Sequence, residues 1–439
     1  MKRILFFCRL FIWQFNCVCF FLAVTPQLIN AQTIRSLTDA RGIHFGAAVT
    51  FPADAAVYDT TLAREFSGLV CEDAMKFGNI MTGPATFNYG LADPIINFGV
   101  SHGMYVRGHN FIWHKQTPTW FANLTVSRDS AFKIMKNYIT AEMTHFKGKI
   151  KEWDIVNEAV ARDSSGMRLG SGYADASQNS KWAALTDAAN HNFDYIDSAY
   201  TYARRADSSV LLFYNDYNCE GMGKKSALVY TLVSRLKSLK LIDGIGLQCH
   251  FHLVADTGVS GGWNPTELET NLSRLAALGL IISFTEVDIR IPDAHNPMTA
   301  ADSANLVEQR KEYTTLMRLF LAQSACKSFF TWGVNDAQSW VLKSFSGYGS
   351  ALLFSNTAGT NGEFTPKACY YGVRDALTAS TVVWSHLTKG VAQSPVAAQF
   401  SNQRRDLLGR AVICLPNNPW RIVAEPNGLR LKAASNHGF

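Results

Sequence analysis

Polar side chains close seven of eight short apolar segments that are spread along the 439-residue chain. Their types are those that handle protons and hydroxyl groups, namely carboxylates, amides and imidazoles, with indole rings close by. Polar residues at strand ends are common because strands must meet solvent somewhere, so the signal lies in these chemical types. In chain order they are Glu72 and Asp73, His109 and Asn110, Asn157 and Glu158, Asn215 and Asp216, Gln248 and His250, Glu286 and Asp288, and Asn335 and Asp336.

Glu158 and Glu286 are the pair best suited to the hydrolysis of a glycosidic bond. That reaction needs one carboxyl that donates a proton and a second that attacks the sugar or activates water. Asn157 directly precedes Glu158 and can hydrogen-bond a sugar 2-hydroxyl, and His250 can hydrogen-bond a carboxylate and hold it ionised. A single glutamate at a strand end is more often a polar terminus than a catalyst, but the pair, together with the motifs below, favours catalysis.

These side chains need a scaffold that brings distant segments together. Eight strand-like runs that alternate with helical patterns predict an α/β fold, a (β/α)₈ barrel with a short C-terminal appendage, with active-site groups at the carboxyl ends of its strands. An open doubly wound sheet is the alternative, but no Gly-rich phosphate turn follows the first strand. The predicted strands are Gly42–Val49, Gly68–Cys71, Met104–Gly108, Glu152–Val156, Leu211–Tyr214, Ile242–Gln248, Ile281–Thr285 and Ser328–Trp332, and the predicted helices include Asp129–Phe146, Phe193–Ala206, Lys225–Leu239, Pro265–Leu278 and Ala301–Leu321.

Seven segments, in order, resemble motifs of glycoside hydrolase family 10 xylanases. The resemblance spans about residues 35–380, and the number and order of the motifs make it specific. The segments are VRGHNFIWHKQTPTW at Val106–Trp120, EWDIVNEAV at Glu152–Val160, YNDYN at Tyr214–Asn218, DGIGLQCHFHL at Asp243–Leu253, SFTEVDI at Ser283–Ile289, FTWGVNDAQSW at Phe330–Trp340, and the closing segment Leu352–Tyr370, in which Cys369 replaces an alanine.

The resemblance implies a (β/α)₈ barrel that cleaves internal β-1,4 bonds of xylan with retention of anomeric configuration and without a cofactor. It implies that Glu158 is the acid/base and Glu286 the nucleophile. Asn215 and Asp288 would support them. The residues that would bind the sugar chain are Glu72, Asp73, Lys76, His109, Trp113, Gln116, Asn157, Tyr217, Gln248, His250, Trp332 and Trp340.

Asp73 is a departure from the family pattern. Members usually carry Glu-Asn before Met-Lys, whereas this chain has Glu72-Asp73 before Met75-Lys76. An asparagine side chain both donates and accepts hydrogen bonds, but an ionised aspartate only accepts. We therefore expect altered binding at the second glycone site, with the reaction itself unchanged.

The two ends of the chain differ in composition from its centre. Residues 1–31 predict a secretory signal peptide, with a retained N-terminal anchor as the alternative. Residues 33–379 form the predicted catalytic domain, 380–400 a linker rich in Ser, Thr, Val and Ala, and 401–439 a basic tail of a few short strands. The tail loosely resembles the C-terminal sorting segments of bacterial type IX secretion. The alternative is a basic appendage that contacts an acidic polymer or a cell surface.

The distribution of charge and the spacing of the cysteines limit the kinds of binding partner and metal site that the chain is expected to have. The net charge of +6 comes from the two ends, since residues 1–31 carry +3 and residues 401–439 carry +4. A near-neutral centre argues against nucleic-acid binding and suits a neutral polymer, so we expect xylan and xylo-oligosaccharides as partners of a monomer that has no membrane contact after signal removal. The cysteine spacing matches no zinc site, no metal is expected, and Cys71 and Cys249 are predicted to be buried free thiols.

Two other functions are compatible with the same barrel. One is another β-1,4-glycanase, a cellulase or a mixed xylanase/glucanase, because xylose and glucose differ by one hydroxymethyl group. The bulk of Trp332 and Trp340 against that position would decide between them. The other is a non-catalytic carbohydrate-binding barrel, against which the presence of both Glu158 and Glu286 argues.

Overall fold

The computed structural model describes residues 32–50, 55–186, 193–253, 262–293, 298–359 and 361–379, and the backbone of four strands within 404–433. The chain divides into two compact units at Val382 and Val383. The predicted signal peptide and linker lie outside the described residues. Among those described, no helix combines the length and apolar character that a membrane crossing requires.

Eight parallel strands form a closed barrel in the first unit. Each strand pairs with the next along the chain, and the last pairs with the first, for example Gly46 with Phe330. Their residues are almost all buried, which is why the strands appear in the sequence as continuous apolar runs. They are β1 His44–Val49, β2 Gly68–Cys71, β3 Tyr105–Gly108, β4 Glu152–Asn157, β5 Leu211–Asp216, β6 Gly244–Leu247, β7 Ile281–Pro292 and β8 Cys326–Thr331.

Eight helices alternate with these strands, so the (β/α)₈ prediction is confirmed. Asn264 caps α6 through its side-chain oxygen, and Thr299 begins α7 with a capping box. The helices are α1 Ala55–Glu65, α2 Ala92–Ser101, α3 Arg128–His145, α4 Asp194–Ala206, α5 Lys224–Ser238, α6 Pro265–Ala277, α7 Ala300–Ala322 and α8 Ala368–Thr378. Shorter helices are Ile34–Asp39, Phe77–Ile80, Thr119–Ala122, Lys181–Thr186 and Val341–Ser344.

Glycines let large rings fill the barrel interior. A Cβ added to Gly46 would lie 2.2 Å from the ring of Phe330, and one added to Gly108 would lie 2.2 Å from the ring of Trp153. Phe330 and Trp153 are both buried. The interior is therefore a packed floor beneath the carboxyl ends of the strands, as in other barrels of this type.

The predicted elements agree closely with the observed ones, with one clear exception. The strands agree to within two residues at each end and the five predicted helices to within one, apart from the end of β7. The prediction that β7 ends at Thr285 was wrong, because the strand continues to Pro292. Its extension pairs with a short strand at His250–His252 that follows β6.

The second unit contains a four-stranded antiparallel sheet. Its strands follow chain order, with each paired to the next. Short strands were expected in this part of the chain, and they are Arg404–Arg405, Ala411–Cys414, Trp420–Glu425 and Gly428–Ala433.

Candidate active site

The two predicted catalytic glutamates lie at the carboxyl end of the barrel. Glu158 directly follows β4, and Glu286 lies within β7, where the pairing with β8 is interrupted between Phe284 and Val287. Such an irregularity redirects side chains. Both glutamates are buried, with 7% of Glu158 and 4% of Glu286 exposed.

Three amide side chains connect the two carboxyl groups. Gln248 and Asn157 donate to Glu158 Oε1 at 3.2 and 3.3 Å, and Asn215 donates to Glu286 Oε1 at 2.7 Å. The Asn157 oxygen in turn accepts from Asn215 at 3.0 Å and from Gln248 at 3.3 Å. Residues in or directly after β4, β5, β6 and β7 therefore form one hydrogen-bonded network, which brings together five of the predicted site residues.

His250 is the charged partner of Glu286. Its Nε2 lies 3.1 Å from Glu286 Oε2, and its Nδ1 lies 2.8 Å from Asp288 Oδ2. Burial alone would lower the pKa of His250, but the two carboxylates outweigh burial and raise the pKa to about 10. The ring is therefore a cation at neutral pH. The Trp340 indole also donates to Asp288 Oδ2, at 2.8 Å, and so fixes the supporting carboxylate.

His109 is buried at the same end of the barrel, but it is neutral. Burial lowers its pKa to about 3, and the charges of Lys76 and Arg107 add to that effect. His109 Nδ1 lies 2.8 Å from Asp154 Oδ2, and Asp154 also pairs with Arg107. Since Nδ1 faces a carboxylate, the neutral ring keeps its proton there. The ring packs edge-on against Trp332, at 5.2 Å between centroids.

Asp73 holds two other predicted sugar-binding residues. Its Oδ1 accepts from Lys76 Nζ at 2.9 Å and from Gln116 Nε2 at 2.8 Å. Burial acts to raise the pKa of Asp73, but these two partners lower it below its ordinary value. The neighbouring Glu72 accepts from Thr50 at 2.9 Å, and burial together with the charge on Asp73 raises its pKa. Asp73 is therefore ionised and pairs with Lys76, a group that could otherwise donate to a sugar.

Aromatic rings surround Lys76 and His250. The Lys76 ammonium lies 4.9 Å from the ring centroid of Trp113 and 6.0 Å from that of Trp332. Trp340 packs against His250 with 4.7 Å between centroids. Indole faces can pack on the C–H faces of pyranose rings while neighbouring polar groups bind the hydroxyls. These rings therefore lie around two basic side chains at the carboxyl end of the barrel, and one of these, His250, contacts Glu286.

A neutral histidine that sequence reasoning missed lies beside Glu158. His114 Nδ1 is 3.9 Å from Glu158 Oε2, and burial lowers the pKa of His114 to about 3. Burial acts to raise the pKa of Glu158, but the basic side chains of His114 and Lys225 and the hydrogen bond from Gln248 lower it below its ordinary value.

The sequence model of Glycosyl hydrolase family 10 matches residues 33–376. The chain belongs to this family. Among curated relatives, endo-1,4-beta-xylanase B of Thermotoga neapolitana is 31% identical over 350 residues, which are 78% of this chain and 91% of the relative. An exoglucanase of Acetivibrio thermocellus is 32% identical over 330 residues, which are 71% of this chain and 26% of that much longer protein.

Solved family 10 structures share the fold. Xylanase 10B of Thermotoga maritima superposes with a TM-score of 0.68 at 31% identity and covers 79% of this chain and 98% of its own. Xylanase 10B of Thermotoga petrophila, solved in complex with xylobiose, superposes with a TM-score of 0.69 at 31% identity. The match covers 79% of this chain and 97% of the petrophila chain.

Tyr217 is a predicted site residue that contacts a buried ion pair instead of the carboxyl network. Its ring lies 3.4 Å from Lys225 Nζ, and Lys225 in turn donates to Asp216 Oδ1 at 2.6 Å. Lys225 lies in the first turn of α5, outside the quoted family 10 motifs, and its role was missed. By contrast, His114, Arg107 and Asp154 all lie inside those motifs, so their neighbours in the sequence were the signal that could have found them.

The described residues offer no cluster of three or more His, Cys, Asp or Glu side chains that could hold a metal ion. Five cysteines among them are free and buried, including Cys71 and Cys249 as predicted.

Proposed function

We propose that this protein is an endo-1,4-β-xylanase that hydrolyses internal bonds of xylan through a covalent glycosyl-enzyme. The observation that carries the proposal is the carboxyl pair: Glu158 and Glu286 are buried at the carboxyl end of a family 10 barrel, joined by amides, and only Glu286 directly contacts a histidine cation within the described site.

The first chemical step uses both glutamates. Glu286 attacks the anomeric carbon while Glu158 gives its proton to the glycosidic oxygen, so one C–O bond forms to Glu286 and the bond to the leaving sugar breaks. In the second step Glu158 takes a proton from water, and that water displaces Glu286 from the anomeric carbon. The product retains the original configuration because inversion occurs twice.

Charge changes during the cycle suit these roles. The His250 cation, held by Asp288, interacts favourably with Glu286 when the latter is ionised. Formation of the glycosyl ester removes the negative charge of Glu286, which lowers the pKa of Glu158 and makes its ionised form available as a base. Asn157 supports the transition state through the sugar 2-hydroxyl, a contact that strengthens as positive charge develops on the ring.

Xylan is the substrate favoured by the described cleft and by the names of several relatives. Trp332 and Trp340 pack against His250, the partner of Glu286. The hydroxymethyl group of glucose would have to fit against these rings, and xylose lacks that group. A relative named as an exoglucanase keeps a glucan-cleaving enzyme as the second candidate. Comparison of kcat/KM on xylan and on carboxymethylcellulose separates the two, and an equal or higher value on the cellulose derivative would favour the second.

One experiment tests substrate, internal cleavage and retention together. Xylohexaose is digested, the products are separated by chain length, and the configuration at the new reducing end is read by NMR before mutarotation. We expect xylobiose to xylotetraose with the β-anomer first. A wild-type protein that releases no reducing sugar would favour the non-catalytic binding barrel, and the Glu286→Ala variant provides the blank.

Export and a monomeric state complete the proposal. Support for export comes from the signal-like residues 1–31 and from the tail that resembles a sorting segment. We expect that deletion of residues 401–439 leaves the enzyme active but retains it in the cell. Normal export of the truncated form would reject the sorting function, and size-exclusion chromatography tests the monomer.

A further inference from the structure

The turn that carries Glu158 has a backbone conformation that L-amino acids rarely adopt. Glu158 has a φ of 55°, in the left-handed region where Cβ approaches the following carbonyl oxygen. A residue other than glycine keeps such a conformation when the surrounding contacts hold it there. The contacts of this turn therefore determine where the Glu158 carboxyl points.

A tyrosine hydroxyl holds the two peptide groups that follow Glu158. The N–H groups of Ala159 and Val160 donate to the Tyr214 hydroxyl oxygen at 3.0 and 3.3 Å. On the other side, the N–H of Glu158 donates to the carbonyl of Asn215 at 2.9 Å. Both holding groups belong to β5, so the position of the turn is set against that strand.

A buried ion pair orients the Tyr214 hydroxyl. Tyr214 donates to Asp216 Oδ2 at 2.5 Å, and Lys225 Nζ donates to Asp216 Oδ1 at 2.6 Å. All three side chains are buried. Burial raises the pKa of Asp216, and the charge of Lys225 opposes that effect. Because the Tyr214 O–H donates its hydrogen bond to Asp216, the lone pairs of the hydroxyl oxygen face the N–H groups of Ala159 and Val160.

We propose that Lys225, Asp216 and Tyr214 form a positioning chain that holds the left-handed turn of Glu158, so that its carboxyl meets the glycosidic oxygen. The inference rests on the proposed function and adds positioning residues to it. Lys225 also contacts Tyr217, a predicted sugar-binding residue, so a change at Lys225 would disturb two functions. Tyr214 is therefore the residue to change.

The test compares Tyr214→Phe with the wild-type enzyme on substrates that differ in their need for a proton. The kcat/KM values are measured on xylohexaose, which needs protonation of its leaving group, and on 2,4-dinitrophenyl β-xylobioside, which does not. We expect a loss of about 10–100-fold on xylohexaose and of less than about 3-fold on the aryl glycoside, since general acid catalysis contributes about 10²–10⁴-fold. Tyr200→Phe is the matched control, because it removes another buried hydroxyl that hydrogen-bonds β5, through the carbonyl of Phe213.

The outcomes separate this inference from the proposed function. If the wild-type enzyme is inactive on xylohexaose, the proposed function is refuted. If the wild-type enzyme is active but Tyr214→Phe lowers kcat/KM by the same factor on both substrates, or on neither, the positioning chain is refuted. Thermal unfolding followed by circular dichroism checks that Tyr214→Phe folds. If it does not, Asp216→Asn decides, since it keeps an acceptor for Tyr214 but removes the charge. The same selective loss supports the chain, and a uniform loss overturns it.

Discussion

On one side of the cleft, Glu286 contacts a histidine cation that a second carboxylate holds in place. On the other side, the contacts of Glu158 come from neutral groups, namely the amides of Gln248 and Asn157 and the imidazole of His114. Two glutamates of identical chemistry thus have different neighbours. The pair of His250 and Asp288 lies beside Glu286, and amide side chains lie beside Glu158. This difference separates the proposed nucleophile from the proposed acid, and the predictions below test it.

The largest effect is expected from Glu286→Gln, which removes the nucleophile and keeps the shape. We expect kcat on xylan to fall by about 10⁵-fold or more, as for other nucleophile deletions. Stopped assays with purified variant measure it, and the thermal midpoint serves as the folding control. Residual activity within 100-fold of wild type would assign the nucleophile elsewhere.

Glu158→Ala should separate the two roles. Loss of the general acid costs about 10²–10⁴-fold in kcat/KM on xylan. On 2,4-dinitrophenyl β-xylobioside the glycosylation step should be nearly unchanged, and azide should restore turnover by attacking the glycosyl-enzyme without a base. An equal loss on both substrates, with no response to azide, would contradict the acid/base assignment.

Asp288→Asn should convert His250 from a cation at neutral pH into a group that titrates in the neutral range. Without the aspartate charge the pKa of His250 falls from about 10 toward its ordinary value near 6.5. In the variant the cation is present below the new pKa and lost above it, so kcat/KM of the variant should decline as pH rises through the neutral range. The wild-type enzyme keeps the His250 charge over that range.

The pH profiles of both enzymes between pH 5 and 9 measure this change. Asp243→Asn is the control, because Asp243 pairs with Arg204 at the other end of β6 and is partly exposed. An alkaline limb that is the same in Asp288→Asn and wild type would show that Asp288 does not set the charge of His250.

The smallest effect is expected from Asp73→Asn. An amide no longer pairs with the charge of Lys76, and it gains donors for a sugar hydroxyl. We expect KM for xylotriose to fall by about 2–5-fold, a free-energy change of about 0.5–1 kcal/mol that corresponds to one neutral hydrogen bond. Unchanged KM for short substrates would show that Asp73 and asparagine bind equally well here.

Much of the fold could be predicted because buried parallel strands leave continuous apolar runs. The end of β7 was the exception, since its extension past Glu286 depends on pairing with His250–His252, a segment more than 30 residues earlier in the chain. Lys225 was missed for another reason. It lies in the first turn of α5, where a lysine usually meets solvent, and only the fold shows that it is buried against Asp216 and Tyr217.

The sequence by itself determined the barrel, the two glutamates and the polar residues at the strand ends, because residue type and order carry that information. It indicated that His250 could hydrogen-bond a carboxylate, but it did not give the charge states of His109, His114 and His250. The tertiary structure decided that His250 is a cation between two carboxylates, with a pKa of about 10. It also decided that His109 and His114 are neutral, each with a pKa of about 3. The physical reason is that burial penalises charge, and the paired carboxylates that offset this penalty for His250 come from one extended strand, β7.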